Sequence, residues 1–192
     1  MRLNKQTIAG FALLILVASL YRIIPGRPMG FAPQIAMALF GGSIIQDKKF
    51  SFLLPLLSMF ISDLVFEMLF RNGLSTIAGF YPGQAFNYLL FAAITLIGFY
   101  VRENKVSSIV VGSFTGTTFY FIVSNFAVWI GGGLNLMNQP YAKNLAGIES
   151  CYAAGIPFYY TSLMATFVFG AVLFGGYYLI KKYSFHQNKA IA

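Results

Sequence analysis

Residues 106–130, VSSIVVGSFTGTTFYFIVSNFAVWI, carry no charged side chain and run straight into Gly131-Gly132-Gly133. As a helix rising about 1.5 Å per residue, the stretch would reach about 37 Å, enough to cross the roughly 30 Å hydrocarbon core of a bilayer. Its last turns open the longest break in an otherwise apolar chain, Asn125–Phe158, which reads NFAVWIGGGLNLMNQPYAKNLAGIESCYAAGIPF. That break holds the one Trp and the one Cys of the sequence, Trp129 and Cys151.

Composition points the same way. Hydrophobic residues make up 58% of the 192 positions and charged residues 9%, where soluble domains carry about a quarter charged. The expected class is an all-α, multi-pass membrane protein forming a single domain. A net charge of +8 would point to nucleic acid in a soluble chain. Here Lys and Arg stand singly or in pairs between apolar runs, a pattern of loop anchors, so no nucleic-acid partner is expected. One Cys allows no internal disulfide, and Cys151 with His186 are too few for a metal site; neither metal nor cofactor is expected.

Outward from residues 106–130, five further apolar runs follow the same logic: 8–24, 31–45, 50–70, 83–101 and 156–180. The first resembles the apolar centre of a signal peptide, but Ala18-Ser19-Leu20 is a poor small-x-small cleavage site. The second is short, so it is expected to be tilted or partly sheltered by its neighbours. Six spans place both termini on one side. With that side cytoplasmic, Arg2, Lys5, Lys48, Lys49, Arg102, Lys105, Lys181, Lys182 and Lys189 lie inside and Arg22, Arg27, Arg71 and Lys143 outside. Nine of the thirteen Lys and Arg inside is a positive-inside bias. The expected location is the plasma membrane, with both termini cytoplasmic and residues 131–155 as an outer loop.

In this frame the polar residues crowd into the outer third: Gln34, Asp63, Glu67, Gln84, Asn87, Tyr88, Asn125, Trp129 and the run Tyr159–Ser162. Polar groups in hydrocarbon are costly unless they meet one another, water or a ligand, so their clustering predicts a cavity open to the outside; snorkelling at the interface is the alternative. Asp63 and Glu67 share a helix face with Arg71, which offers Glu67 an i,i+4 partner. Asp63 lies deeper, as a functional carboxylate or as a hydrogen-bonding group between helices. Trp129 stands one turn beyond Asn125, as an aromatic-belt residue or a stacking platform, and the Gly triplet after it reads as a hinge. Cys151 is a small buried hydrophobe or a thiolate reaching a ligand's metal. The expected substrate-binding set is Asp63, Asn87, Asn125, Trp129, Gln84, Tyr152 and Cys151. The inner halves carry small-x-x-x-small pairs such as Gly112/Gly116 and Ala171/Gly175. No G-x-x-x-x-G-K-[ST] occurs, so the chain has no nucleotide-hydrolysing loop of its own.

Four motifs, taken together in order, carry a family likeness: Gly30-Phe31-Ala32-Pro33 leading into Ala36–Gly42, Met59–Leu64, Ser124–Trp129 and Cys151–Phe158. They resemble a family of bacterial membrane proteins assigned to transport, which is similar to the substrate-capture (S) components of energy-coupling-factor vitamin transporters. Gly30 stands where that pattern would have Asn. The resemblance implies a six-helix bundle that takes a vitamin-like micronutrient from the outside and docks onto a transmembrane coupling subunit driven by ATPases. It also implies that Cys151 would reach cobalt if the ligand were a cobalamin. The expected partners are therefore a small-molecule substrate, the lipid bilayer and that coupling subunit. Two other readings remain: a membrane scaffold or assembly subunit, and an intramembrane enzyme using Asp63 and Glu67.

Overall fold

Seven helices make up the computed structural model, which describes the backbone of residues 5–190 and the side chains of residues 8–182. They are α1 (Lys5–Ile23), α2 (Gln34–Ile44), α3 (Lys48–Ser51), α4 (Leu53–Arg71), α5 (Gln84–Gly98), α6 (Val106–Ile130) and α7 (Leu145–Ala190). Among the described residues there is no strand beyond a single bridge, Leu134 with Pro140. Arg2 lies outside the described residues, and Lys5, His186 and Lys189 outside those with described side chains.

Three helical stretches are long and apolar enough to cross a membrane: Lys48–Arg71, Val106–Ile130 and Leu145–Lys182. The apolar helices Ile8–Ile23, Gln34–Ile44 and Gln84–Gly98 are shorter. The shortest, α2, is the centre of the molecule. Every residue from Gln34 to Gly42 is buried, because α4, α5, α6 and α7 all pack around it. A helix enclosed by protein needs no length to match a bilayer.

The helices alternate in direction. Arg22 near the end of α1 meets Asp63 in the far half of α4, and Gln84 at the start of α5 meets the same carboxylate. Thr118 of α6 bonds Tyr159 of α7 at 2.9 Å while Tyr152 reaches back to the Ile122 carbonyl at 2.7 Å. At the opposite end α2 and α5 touch backbone to backbone. A Cβ on Gly98 would lie 2.7 Å from the Leu39 carbonyl oxygen, and one on Gly42 would strike the Thr95 carbonyl. The Gly112/Gly116 pair is used inside the molecule, Gly112 against Val101 and Gly116 against Ile94 and Leu39. Ala38–Gly42 of α2 and Val172–Gly176 of α7 face each other, with Phe40 and Phe174 edge to face at 5.2 Å.

Boundaries depart from the sequence expectation in two places. The run 50–70 is divided at Phe52 into α3 and α4; Pro55 has no N–H to bond back to Ser51, so the helix must restart. The last helix begins at Leu145, not Ile156. Asn144 caps it, its Oδ1 accepting from the Gly147 N–H at 2.9 Å, and Pro157 is carried inside the helix on an exposed face. Membrane-type helices tolerate such a proline because it frees only one carbonyl. The segment expected as loop 131–155 is therefore a loop only as far as Asn144.

Candidate functional site

α1, α4 and α5 converge on one buried carboxylate. Asp63 is 1% exposed. Its Oδ1 accepts from Arg22 Nη1 at 2.9 Å, and its Oδ2 accepts from Gln84 Nε2 and, at 2.6 Å, from the Tyr88 hydroxyl. Arg22 is held in turn by Ser62 Oγ and by the Met59 carbonyl. A buried carboxylate with one cation on Oδ1 and two further donors on Oδ2 is a structural node, since both oxygens are held by hydrogen bonds from neighbouring helices. Glu67 is held separately: Arg71 Nε lies at 2.7 Å, and the Phe80 N–H donates to the other oxygen. The two acids thus serve different structural ends.

From that node a polar chain runs to a cleft. Gln84 Oε1 accepts from Asn87 Nδ2 at 3.1 Å, Asn87 Nδ2 also donates to the Tyr81 hydroxyl at 2.8 Å, and Asn87 Oδ1 accepts from the Tyr120 hydroxyl at 3.1 Å. Burial and the Asp63 charge push the Tyr81 phenol above its ordinary pKa, so it stays protonated well past neutral pH.

The cleft has a volume of about 670 Å³, within the range of small-molecule sites. The turn before α5 supplies Tyr81, Pro82 and Gly83, and α5 supplies Phe86 and Asn87. From α6 come Thr117, Tyr120, Phe121, Ser124, Asn125, Ala127 and Val128, and from α7 Gly155, Phe158, Tyr159 and Ser162. No residue of this lining is charged. Asn125 donates to the Phe121 carbonyl at 2.8 Å, leaving Oδ1 without a hydrogen-bond donor among the described residues. Gly155 is what lets α7 come this close, because a Cβ there would run into the Asn125 amide. Phe121 and Tyr159 lie 4.9 Å apart, and Tyr120 packs on Phe91 at 5.3 Å. The arrangement is an aromatic slot with amide and hydroxyl groups along it.

Of the seven residues expected to bind substrate, Asn87 and Asn125 line the cleft. Asp63 and Gln84 stand behind it as support for Asn87. Cys151 is buried in the α6–α7 contact, its thiol 3.4 Å from the Asn125 carbonyl, and Tyr152 packs on Phe121. Gln34, 3% exposed, finds no hydrogen-bond partner for either amide atom and is not part of the lining. Tyr159 and Ser162, placed in the outer polar cluster by the sequence, line the cleft too, whereas Tyr120, Phe121 and Phe158 do not stand out in the sequence as polar groups at that depth. The signal was available: positions 117, 120, 121, 124, 125 and 128 fall at helical spacing and mark one face of α6.

Trp129 faces the loop. Its indole N–H donates to the Ala142 carbonyl at 2.8 Å, and the Lys143 ammonium lies 5.4 Å from the centre of its ring while bonding the Trp129 and Ile130 carbonyls. The Gly triplet is a helix cap, not an open hinge: Gly133 N–H bonds the Val128 carbonyl at 2.8 Å, Gly132 N–H the Trp129 carbonyl at 3.4 Å, and Gly132 takes φ of 76°. This is the paired bonding of a Schellman end, with Lys143 complementing the helix C-terminus. Trp129→Phe should release the Ala142 carbonyl and loosen the loop, so trypsin would cut after Lys143 several-fold faster; an unchanged rate would show that the cap alone holds it.

Among the described residues no group of three His, Cys, Asp or Glu side chains could hold a metal ion. A family of unknown function (DUF6580) matches residues 2–188. No curated protein and no solved structure matches the chain.

Proposed function

The chain belongs to that family of unknown function, and we propose that it captures a small, uncharged, partly aromatic micronutrient from the outer side of the plasma membrane. The observation that carries this reading is the cleft: about 670 Å³, aromatic walls, two Asn side chains and no charge. Such a site has nothing to neutralise an ionic ligand, while its rings can stack on a flat one and its amides can pair with the ligand's polar edge.

The proposed topology is six spans with both termini cytoplasmic. Lys48, Lys49, Arg102, Lys105, Lys181 and Lys182 collect at the end opposite the cleft, and Arg22, Arg27, Arg71 and Lys143 at the cleft end, which favours the cleft facing out. Four motifs resembling a transport family, and no nucleotide-hydrolysing loop, support a role like that of the S components, docked on a coupling subunit with its own ATPases.

The test is binding of a panel of uncharged heteroaromatic vitamins to purified protein by equilibrium dialysis. Asn125→Leu and Tyr120→Leu should each weaken binding about tenfold or more, equivalent to about 1.4 kcal/mol, whereas Cys151→Ala should leave it unchanged. Binding indifferent to Asn125 and Tyr120, or no binding across the panel, would overturn the proposal.

A further inference from the structure

A second cleft, of about 430 Å³, lies at the opposite end of the molecule, where the turn after α5 leads into α6. We propose that it holds an anionic phospholipid, with the phosphate between Arg102 and Lys105 and an acyl chain running along Val101, Val111 and Thr115. The inference rests on the membrane placement proposed above, but on different residues from the outer cleft.

Three observations carry it. The cleft is two-sided in character: Ile97, Val101 and Val111 give it an apolar interior, and Arg102 and Lys105 stand with Ser107 and Ser108 among its lining residues. Both cations are free, since neither side chain has a hydrogen bond or ion pair among the described residues, and the one acid of the turn, Glu103, is directed at Lys181 at 3.7 Å. No acid lines the cleft, so a negative group entering it meets no carboxylate in the wall. The turn is also fixed in shape. The Arg102 N–H donates to Ser108 Oγ at 2.9 Å, and Ser43 Oγ of the central region donates to the Val101 carbonyl at 2.8 Å. The start of α6 adds to the positive potential, because Lys105 gives it no side-chain cap.

A lipid fits better than free phosphate. Inorganic phosphate would use only the two cations, which are exposed to water and would hold it weakly, and would leave the apolar interior unfilled. A phospholipid fills both parts, as basic pockets at the cytoplasmic level between membrane helices do. Tyr100, 86% exposed beside the cleft, has the amphipathic character of a residue at headgroup depth.

The test is native mass spectrometry of the full chain released from phosphatidylcholine nanodiscs with and without phosphatidylglycerol, beside the R102Q/K105Q and R71Q variants. Wild type and R71Q should retain one phosphatidylglycerol, and R102Q/K105Q should retain it at least tenfold less. Equal retention by all three proteins overturns the proposal, as does inorganic phosphate displacing the lipid at millimolar concentration, which would mark a phosphate site. Thermal unfolding in phosphatidylcholine alone should be the same for R102Q/K105Q and wild type; a general loss of stability there would mean a structural role and also count against the site. A chain that leaves the membrane fraction in carbonate would refute the membrane placement itself, a result distinct from unselective lipid retention by a chain that stays.

Discussion

Arg22→Leu should destabilise the folded chain by about 3–5 kcal/mol, the usual cost of stripping one partner from a buried ion pair. Asp63 is 1% exposed, and Arg22 is its only cation among the described residues. Without it the carboxylate keeps Gln84 and Tyr88 but stands buried with no counter-ion. The double variant Arg22→Leu/Asp63→Leu removes the stranded charge and should recover much of the loss. Unfolding in detergent followed by circular dichroism reads both, and a single-variant loss below about 1 kcal/mol would show that the pair contributes no more than a surface one. The polar chain from Asp63 through Gln84 to Asn87 adds a second readout, since Arg22→Leu should also disturb the cleft.

Gly98→Val should prevent the bundle from closing. At this crossing the obstacles are backbone atoms, the Leu39 carbonyl at 2.7 Å and the Ala38 carbonyl at 2.9 Å from an added Cβ, and backbone cannot turn aside as a side chain can. Because α2 is enclosed on all sides, pushing it away from α5 loosens its packing on α4, α6 and α7 as well. Gly98→Ala should cost about 1–3 kcal/mol as an overpacking change, and the larger Val should leave little monodisperse protein. Gly176→Ala is the control, because nothing lies within 4 Å of its Cβ. Equal yields and melting temperatures for the Gly98 and Gly176 variants would sink the argument.

Much of the architecture was legible in the chain because bilayer-length apolar helices leave a coarse, local signal. Residues 106–130 form a helix with the expected bounds, and the short second run is sheltered by its neighbours, one of the two outcomes its length allowed. The end of α7 nearest the cleft was not legible. Pro157 reads locally as a helix start, and only the Asn144 cap shows that the chain is already helical twelve residues earlier.

The candidate site divides in the same manner. Asn87 and Asn125 could be placed in a cavity because an amide at that depth needs a partner. That Asp63 meets Arg22, Gln84 and Tyr88 depends on three helices distant in sequence arriving at one point. Trp129 and Cys151 drew notice by rarity, which carries no direction, and the folded chain sends one to the loop and the other into the α6–α7 contact.

Composition and apolar run length determined by themselves that this is an all-helical chain with helices long and apolar enough to cross a membrane. Those are properties of single segments, set by transfer free energy along the chain. Which polar groups face each other and which face the cleft was decided by tertiary structure, because a hydrogen bond acts over about 3 Å and periodicity places a residue on a face without saying what that face meets.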